Sequence, residues 1–351
     1  MTKQISVDCG KYNTKTCYFD QAKGDYTKSK FRTKVSKGTF DDDMLEKGTF
    51  LVRYQGETYK VGMGARQEAD METSKRDDIH KISTIAAIAL SLAPNSKEEI
   101  DVCIGIPLQT CLVTEERLAY KSFILPDGLQ EVELKLDNKS APYKVSFKIR
   151  KKYVYPEGIG VIYEYPSELK NITGIIDIGN LNVNCLYCNM AQPTPESSFT
   201  DELGGQVLIS GLAQELSSQL GMRVDDNLAA SILLKSKDER YLIPKNGNEE
   251  IMELSKKVIT EYTREHVKLI KRKLDTKRWP LDFMNLVFIG GTSNLLKNEL
   301  IEVFGDSIII PKNPEFVNVE GFMKRMCSNI DVDIFSILNK KNESKKTEKT
   351  A

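Results

Sequence analysis

Apolar side chains recur along the chain with two different spacings. Short runs rich in β-branched residues alternate with longer stretches whose apolar positions fall three or four residues apart, which predicts alternating strands and helices in an α/β protein. In the first half, strands are expected over 4–7 and 16–19, joined by a polar turn that contains glycine. A helix is expected over 76–92, where Ile79, Ile82, Ala86 and Ala89 share one face and Pro94 ends the run. An unbroken apolar strand over 101–106 is stopped by Pro107. Two turn-rich stretches, 34–75 and 123–152, read as smaller subdomain material inserted into the first domain.

The second half starts the alternation again, with strands over 174–178 and 183–187 and a helix over 205–220. A long helix over 249–274 carries an apolar stripe of Ile251, Leu254, Val258, Tyr262, Leu269 and Leu274. Trp279-Pro280 reads as its stop. A strand over 285–289, a helix over 294–304, a strand over 307–310 and a closing helix over 319–327 complete the pattern. Residues 339–351 hold five Lys, two Glu and no large apolar side chain, so a disordered tail is expected.

Composition narrows the function. A length of 351 residues suits about two domains. The 50 Lys+Arg and 50 Asp+Glu cancel, leaving no overall positive field for a polyanion, so no direct nucleic-acid binding is expected. The longest apolar run, 85–90, falls far short of the roughly 20 residues of a membrane span. The opening MTKQISVDCG runs straight into a strand pattern, so a cytoplasmic protein without membrane partners is expected. Most of the 7 Cys sit in apolar runs, which suits buried reduced thiols. The 2 His, His80 and His266, lie on predicted helices among charged residues and are expected at the surface; two are too few for a His-rich metal site. Cys185 and Cys188 have zinc-like spacing, but strand positions three apart face opposite sides and no second pair accompanies them.

One internal echo carries the chemistry. Val7-Asp8-Cys9-Gly10-Lys11-Tyr12-Asn13 matches Ile176-Asp177-Ile178-Gly179-Asn180-Leu181-Asn182 at an offset of 169 residues, and Tyr18 matches Tyr187 at the same offset. These are the only two D-x-G triplets in the chain. Each closes an apolar strand, turns and enters another, as a duplicated domain requires. Glycine lets such a turn approach a ligand closely, and successive turn N–H groups make a concave anion site. Asp8 and Asp177 cannot bind phosphate themselves and suit a hydrated Mg²⁺, while Lys15 supplies positive charge. Phe288-Ile289-Gly290-Gly291-Thr292-Ser293 is a third strand-to-glycine element, and Pro156-Glu157-Gly158-Ile159-Gly160 places an acidic residue at a predicted helix start. Neither a Walker A motif nor a G-x-G-x-x-G motif is present. Lys268, Lys271, Arg272, Lys273, Lys277 and Arg278 make the long helix basic, either as a solvated face or as part of a site.

Together these residues resemble the actin-like superfamily, which includes the sugar kinases and Hsp70 chaperones. Its phosphate-1, phosphate-2 and adenosine motifs are matched by 8–15, 177–182 and 290–293. Within it the chain is most similar to the ParM group of plasmid-segregation actins, through 155–160, through Asp201-Glu202-Leu203-Gly204-Gly205 and through 313–322. The resemblance implies a duplicated ribonuclease-H-like fold with a nucleotide cleft between two domains, one formed by 1–165 plus 316–338 and the other by 166–315. It implies that Asp8 and Asp177 hold Mg²⁺ through water and that Glu157 orients the water attacking the γ-phosphate. Nucleotide contacts are implied for Gly10, Lys11, Tyr12, Asn13, Lys15, Gly179, Asn180, Leu181, Asn182, Gly204, Gly205, Lys271, Gly290, Gly291, Thr292 and Ser293.

The implied activity is ATP hydrolysis coupled to filament assembly, moving plasmid DNA through a DNA-binding adaptor; GTP stays open, because nothing in the sequence reads the base edge. Asn180 and Asn182 depart from the family's glycine and hydroxyl residues at phosphate-2. A small-molecule kinase of the same fold, with Asp201 as its catalytic carboxylate, and a non-hydrolysing nucleotide-gated scaffold are the alternatives.

Overall fold

Strand β1 (Lys3–Cys9) is buried on both faces from Ile5 to Cys9, as an unbroken apolar run requires of a strand inside a covered sheet. The computed structural model describes residues 2–20, 23–40, 44–68, 75–169, 171–244 and 247–328; the expected tail at 339–351 lies outside the described residues. The chain divides into two units, one made of Met1–Tyr165 and the segment returning at Phe316, the other of Pro166–Glu315.

In the first unit β1 is followed by β2 (Asn13–Asp20), β3 (Asp25–Arg32), β4 (Lys34–Lys37), β5 (Thr49–Tyr54), β6 (Glu57–Gly62) and β7 (Gln67–Glu68). Then come α1 (Asp78–Leu90), β8 (Lys97–Ile106), α2 (Leu108–Leu112), α3 (Thr114–Ile124), β9 (Leu129–Lys135), β10 (Tyr143–Pro156) and α4 (Gly160–Glu164). Its sheet has the order β3-β2-β1-β8-β10-β9-β5-β6-β4-β7. The stretches read as inserted material extend this same sheet through β4 to β7 and β9. Helix α1 begins at an Asp77 side chain that accepts the His80 N–H, 2.8 Å away.

The second unit holds β11 (Ile172–Ile178), β12 (Val183–Asn189), β13 (Gln192–Pro193), β14 (Phe199–Asp201), α5 (Gly205–Leu220), α6 (Asp226–Leu233), α7 (Glu249–Thr276), β15 (Asn285–Ile289), α8 (Gly291–Leu295) and α9 (Lys297–Phe304). Its sheet runs β13-β12-β11-β15, with β14 added to β12. Both units share one motif: an antiparallel hairpin, β1–β2 or β11–β12, whose first strand pairs in parallel with a later strand, β8 or β15.

Three expectations fail in detail. The strand over 307–310 reduces to one parallel bridge, Val287 to Ile309, between Gly305 and Pro311. The stripe of α7 runs through Val258, Ile259, Val267, Ile270 and Leu274, whereas Leu254 and Leu269 are exposed. Trp279 does more than end a helix: it is buried, lies edge-on to Tyr187 and Phe199, and donates Nε1–H to the Ser197 carbonyl, 2.9 Å away. Helix α10 (Val317–Cys327) returns to the first unit and packs Val319, Phe322 and Met323 with Cys17, Cys103 and Tyr155.

Candidate functional site

In the first unit the antiparallel register sets Asp8 opposite Lys15, with 3.2 Å between Oδ2 and Nζ. The turn between them closes on Gly10, whose N–H points to the carbonyls of Asp8 and Asn13, both 3.1 Å away. A side chain at Gly10 would stand 2.9 Å from the Asn13 oxygen, so the turn requires glycine. Asp8 is buried. Burial opposes its ionisation, but the charges of Lys15 and Lys75 and hydrogen bonds from Lys15 and Asn318 outweigh it and hold the carboxyl below its usual range. Tyr12 is half exposed, with the Arg32 guanidinium carbon 3.1 Å from its ring centre.

Glu157 sits in the turn between β10 and α4, not in the first turn of a helix as expected, because Gly158 adopts φ +86° and delays helix entry to Gly160. Its N–H donates to the Ile106 carbonyl at 2.8 Å, and the Gly158 N–H donates to Asn318 Oδ1 at 3.0 Å. The buried Glu157 carboxylate accepts a hydrogen bond from Lys75, whose Nζ also donates to the Cys9 carbonyl, 3.0 Å away. Lys75 is 5% exposed. Burial disfavours its charge, but Glu157 and Asp8 outweigh that and raise its pKa above the usual lysine value. Sequence reasoning missed Lys75 and Asn318. Lys75 sits in a turn-rich stretch without a motif. Asn318 falls within 313–322, but its sequence neighbours do not reveal its contact with the Glu157 turn.

In the second unit the same register sets Asp177 opposite Asn184. The Gly179 N–H points to the carbonyls of Asp177 and Asn182, at 3.2 and 2.9 Å, repeating the Gly10 pattern 169 residues on. This turn is tied to two helix starts. The N–H groups of Gly205 and Gln206 donate to the Gly179 and Asn180 carbonyls at 3.0 and 2.6 Å, and Thr292 Oγ1 donates to Gly179 at 2.9 Å. A side chain at Gly204 would meet Leu181 at 2.3 Å, and one at Gly205 would meet Thr292 Oγ1 at 2.5 Å. Gly290, at φ +91°, lies against Asp177 Oδ1. The structure therefore gathers Asp177, Gly179, Asn180, Leu181, Gly204, Gly205, Gly290 and Thr292. Gly291 is exposed beside them, and the Ser293 hydroxyl turns inward to the Ile289 carbonyl.

Lys271 lines a cavity of about 440 Å³ with Arg264, Lys268, Arg272, Asp275, Glu302 and Val303. Asp201, the alternative catalytic carboxylate, is paired with Lys273 at 2.8 Å. His80 and His266 are both buried, against expectation. His80 Nδ1 pairs with the Asp77 carboxylate, and His266 Nε2 lies 3.1 Å from the Leu203 carbonyl, so each finds an internal partner that its charged neighbours in sequence conceal.

The donor set suits a Mg²⁺–nucleotide. Each hairpin end presents one buried carboxylate, a hard oxygen ligand, beside a glycine turn. The described residues contain no group of three His, Cys, Asp or Glu side chains placed to cage a metal. Magnesium held by one or two carboxylates, water and phosphate needs no such cage.

Residues 6–160 match the family model for the N-terminal domain of actin-like proteins. Residues 175–302 match the model for the C-terminal domain of archaeal MreB-like actin homologues. No curated protein matches the sequence. Among solved structures, the archaeal actin homologue Ta0583 in complex with ADP superposes with a TM-score of 0.69 at 18% identity, over 93% of this chain and 99% of that one. The Alp12 filament structure gives 0.69 at 24% identity, over 93% and 98%. AlfA from the B. subtilis plasmid pLS32, also a filament structure, gives 0.58 at 16% identity, over 92% and 98%. At these identities the likeness is one of fold.

Proposed function

The chain is an actin-like protein, an actin-like N-terminal domain followed by an archaeal MreB-like C-terminal one, and on that premise we propose that it is a filament-forming ATPase that segregates plasmid DNA through a DNA-binding adaptor. The observation that carries this reading is the repeated hairpin, with Asp8 and Asp177 at the same register and Gly10 and Gly179 making the same pair of hydrogen bonds. Each such turn suits a phosphate group.

In this reading Asp8 and Asp177 orient the water shell of Mg²⁺, and Lys15 balances phosphate charge. Held there, Mg²⁺ would neutralise phosphate charge. Glu157 orients the attacking water, and the close glycine packing at 204, 205 and 290 keeps side chains away from the nucleoside. The filament is a homopolymer, and a neutral chain leaves DNA contact to the adaptor. GTP in place of ATP is an outcome of the same assay.

Light scattering of the purified protein with Mg²⁺, with and without ATP, tests this, with phosphate release followed in the same cuvette. Scattering that rises above a critical concentration, followed by phosphate release, is expected. Asp177→Ala is expected to abolish both; normal assembly by that variant would overturn the reading.

A further inference from the structure

We propose that Lys75 is a positioning residue for hydrolysis, holding the Glu157 carboxylate in the orientation from which it directs water. This rests on the assignment of Glu157 to that role. The geometry is specific. One ammonium, 5% exposed, donates both to the Cys9 carbonyl at the end of β1 and to the Glu157 carboxylate in the turn after β10. Cys9 is the residue between Asp8 and the Gly10 turn. Lys75 therefore joins the first hairpin to the Glu157 turn, two segments far apart in sequence.

Three further observations support the arrangement. The Glu157 turn is braced separately, by its own N–H to Ile106 and by Gly158 N–H to Asn318. The backbone is thus held without Lys75, and what Lys75 adds is the direction of the side chain. The carboxylate is buried and has lost most of its water, so its direction is set by the protein groups that hold it. A cation on one oxygen restrains the plane of the carboxylate. Neither end of the link is exposed, so solvent does not compete for it.

The test uses the full-length protein with Mg²⁺ and ATP. Glu157→Gln is expected to slow phosphate release by about 100-fold, the usual scale for a water-directing group. Lys75→Met is expected to lower kcat by a similar factor with KM within about twofold of wild type. Lys75→Arg, which keeps the charge and the donors, is expected to recover most of the rate. The double variant Lys75→Met/Glu157→Gln removes both buried charges together, guards against misfolding of the single variant, and is expected to be no slower than Glu157→Gln alone.

An unchanged kcat in Lys75→Met would overturn the proposal. So would losses that multiply in the double variant, or a raised KM at unchanged kcat. A crystal structure of Lys75→Met provides a second readout independent of activity and is expected to show the Glu157 carboxylate in a different rotamer on an unchanged backbone. Absence of phosphate release by wild type would defeat the functional reading instead, and an unmoved Glu157 carboxylate in that structure would still defeat the Lys75 link.

Discussion

Lys15 stands 3.2 Å from Asp8 across the first hairpin, whereas the position equivalent to Lys15 in the second hairpin is Asn184, opposite Asp177. The two turns thus share a backbone but not a charge. Lys15→Ala is expected to weaken ATP binding by about 10- to 100-fold, the scale of one lost charge-assisted hydrogen bond. Asn184→Ala, which removes no charge, is expected to change it by less than about threefold. Fluorescent-nucleotide titration at fixed Mg²⁺ checks both.

Gly290 combines φ +91° with a position where a side chain would stand 2.4 Å from Asp177 Oδ1 and 2.4 Å from the Ile178 carbonyl. Gly290→Ala is therefore expected to cost at least about 2 kcal/mol and to abolish nucleotide-dependent assembly. Urea unfolding and the scattering assay measure the two effects.

Arg240 and Glu299 form a buried pair in the second unit, 3.4 Å apart, with Arg240 also donating to the Leu295 carbonyl at 2.7 Å. Removing one partner strands the other charge. Arg240→Met alone is expected to destabilise by about 3–5 kcal/mol, whereas Arg240→Met/Glu299→Leu recovers most of the loss. Urea midpoints of the two single variants and the double variant decide this.

Burial lowers the pKa of His266 below the ordinary 6.5, against a smaller upward pull from the Leu203 carbonyl. Just below pH 6.5 the unfolded chain binds a proton that the folded chain refuses, so stability falls as the solution is acidified through that value and is unaffected well above it. His80 shifts in the same direction, also through burial, with Asp77 opposing. Urea midpoints are expected to drop between pH 7.5 and pH 5.5, and less steeply in His266→Gln.

Six of the seven cysteines are buried, and burial raises their thiol pKa values, to about 11 for Cys9 and about 12 for Cys111. Only Cys327 is exposed. Ellman's reagent is expected to titrate one thiol promptly in the native protein and seven in denaturant.

Much of this was legible in the sequence where local and global signals agree. The strand at Asn285–Ile289 and the helix at Gly205–Leu220 start and stop where glycine and apolar spacing say they should. The two hairpins announce themselves because a glycine turn is a local device. Buried polar residues were not legible. His80 is flanked by Asp77, Asp78 and Lys81, and only the fold shows that it lies on the covered face of α1 and pairs with its own N-cap. Lys75 draws its meaning from Glu157, 82 positions away. Strand β3 carries alternating charge at the sheet edge, so its pattern gave no apolar face to read.

Helix α10 bears on how the protein is made. Phe322, fully buried, fills the first unit beside Cys103, and the Ser6 hydroxyl reaches the Val319 carbonyl at 2.7 Å. Residues 1–165 thus lack part of their own interior until 317–327 are translated, while Pro166–Glu315, contiguous and translated in between, is free to fold before them. The unit begun earlier is the one completed later.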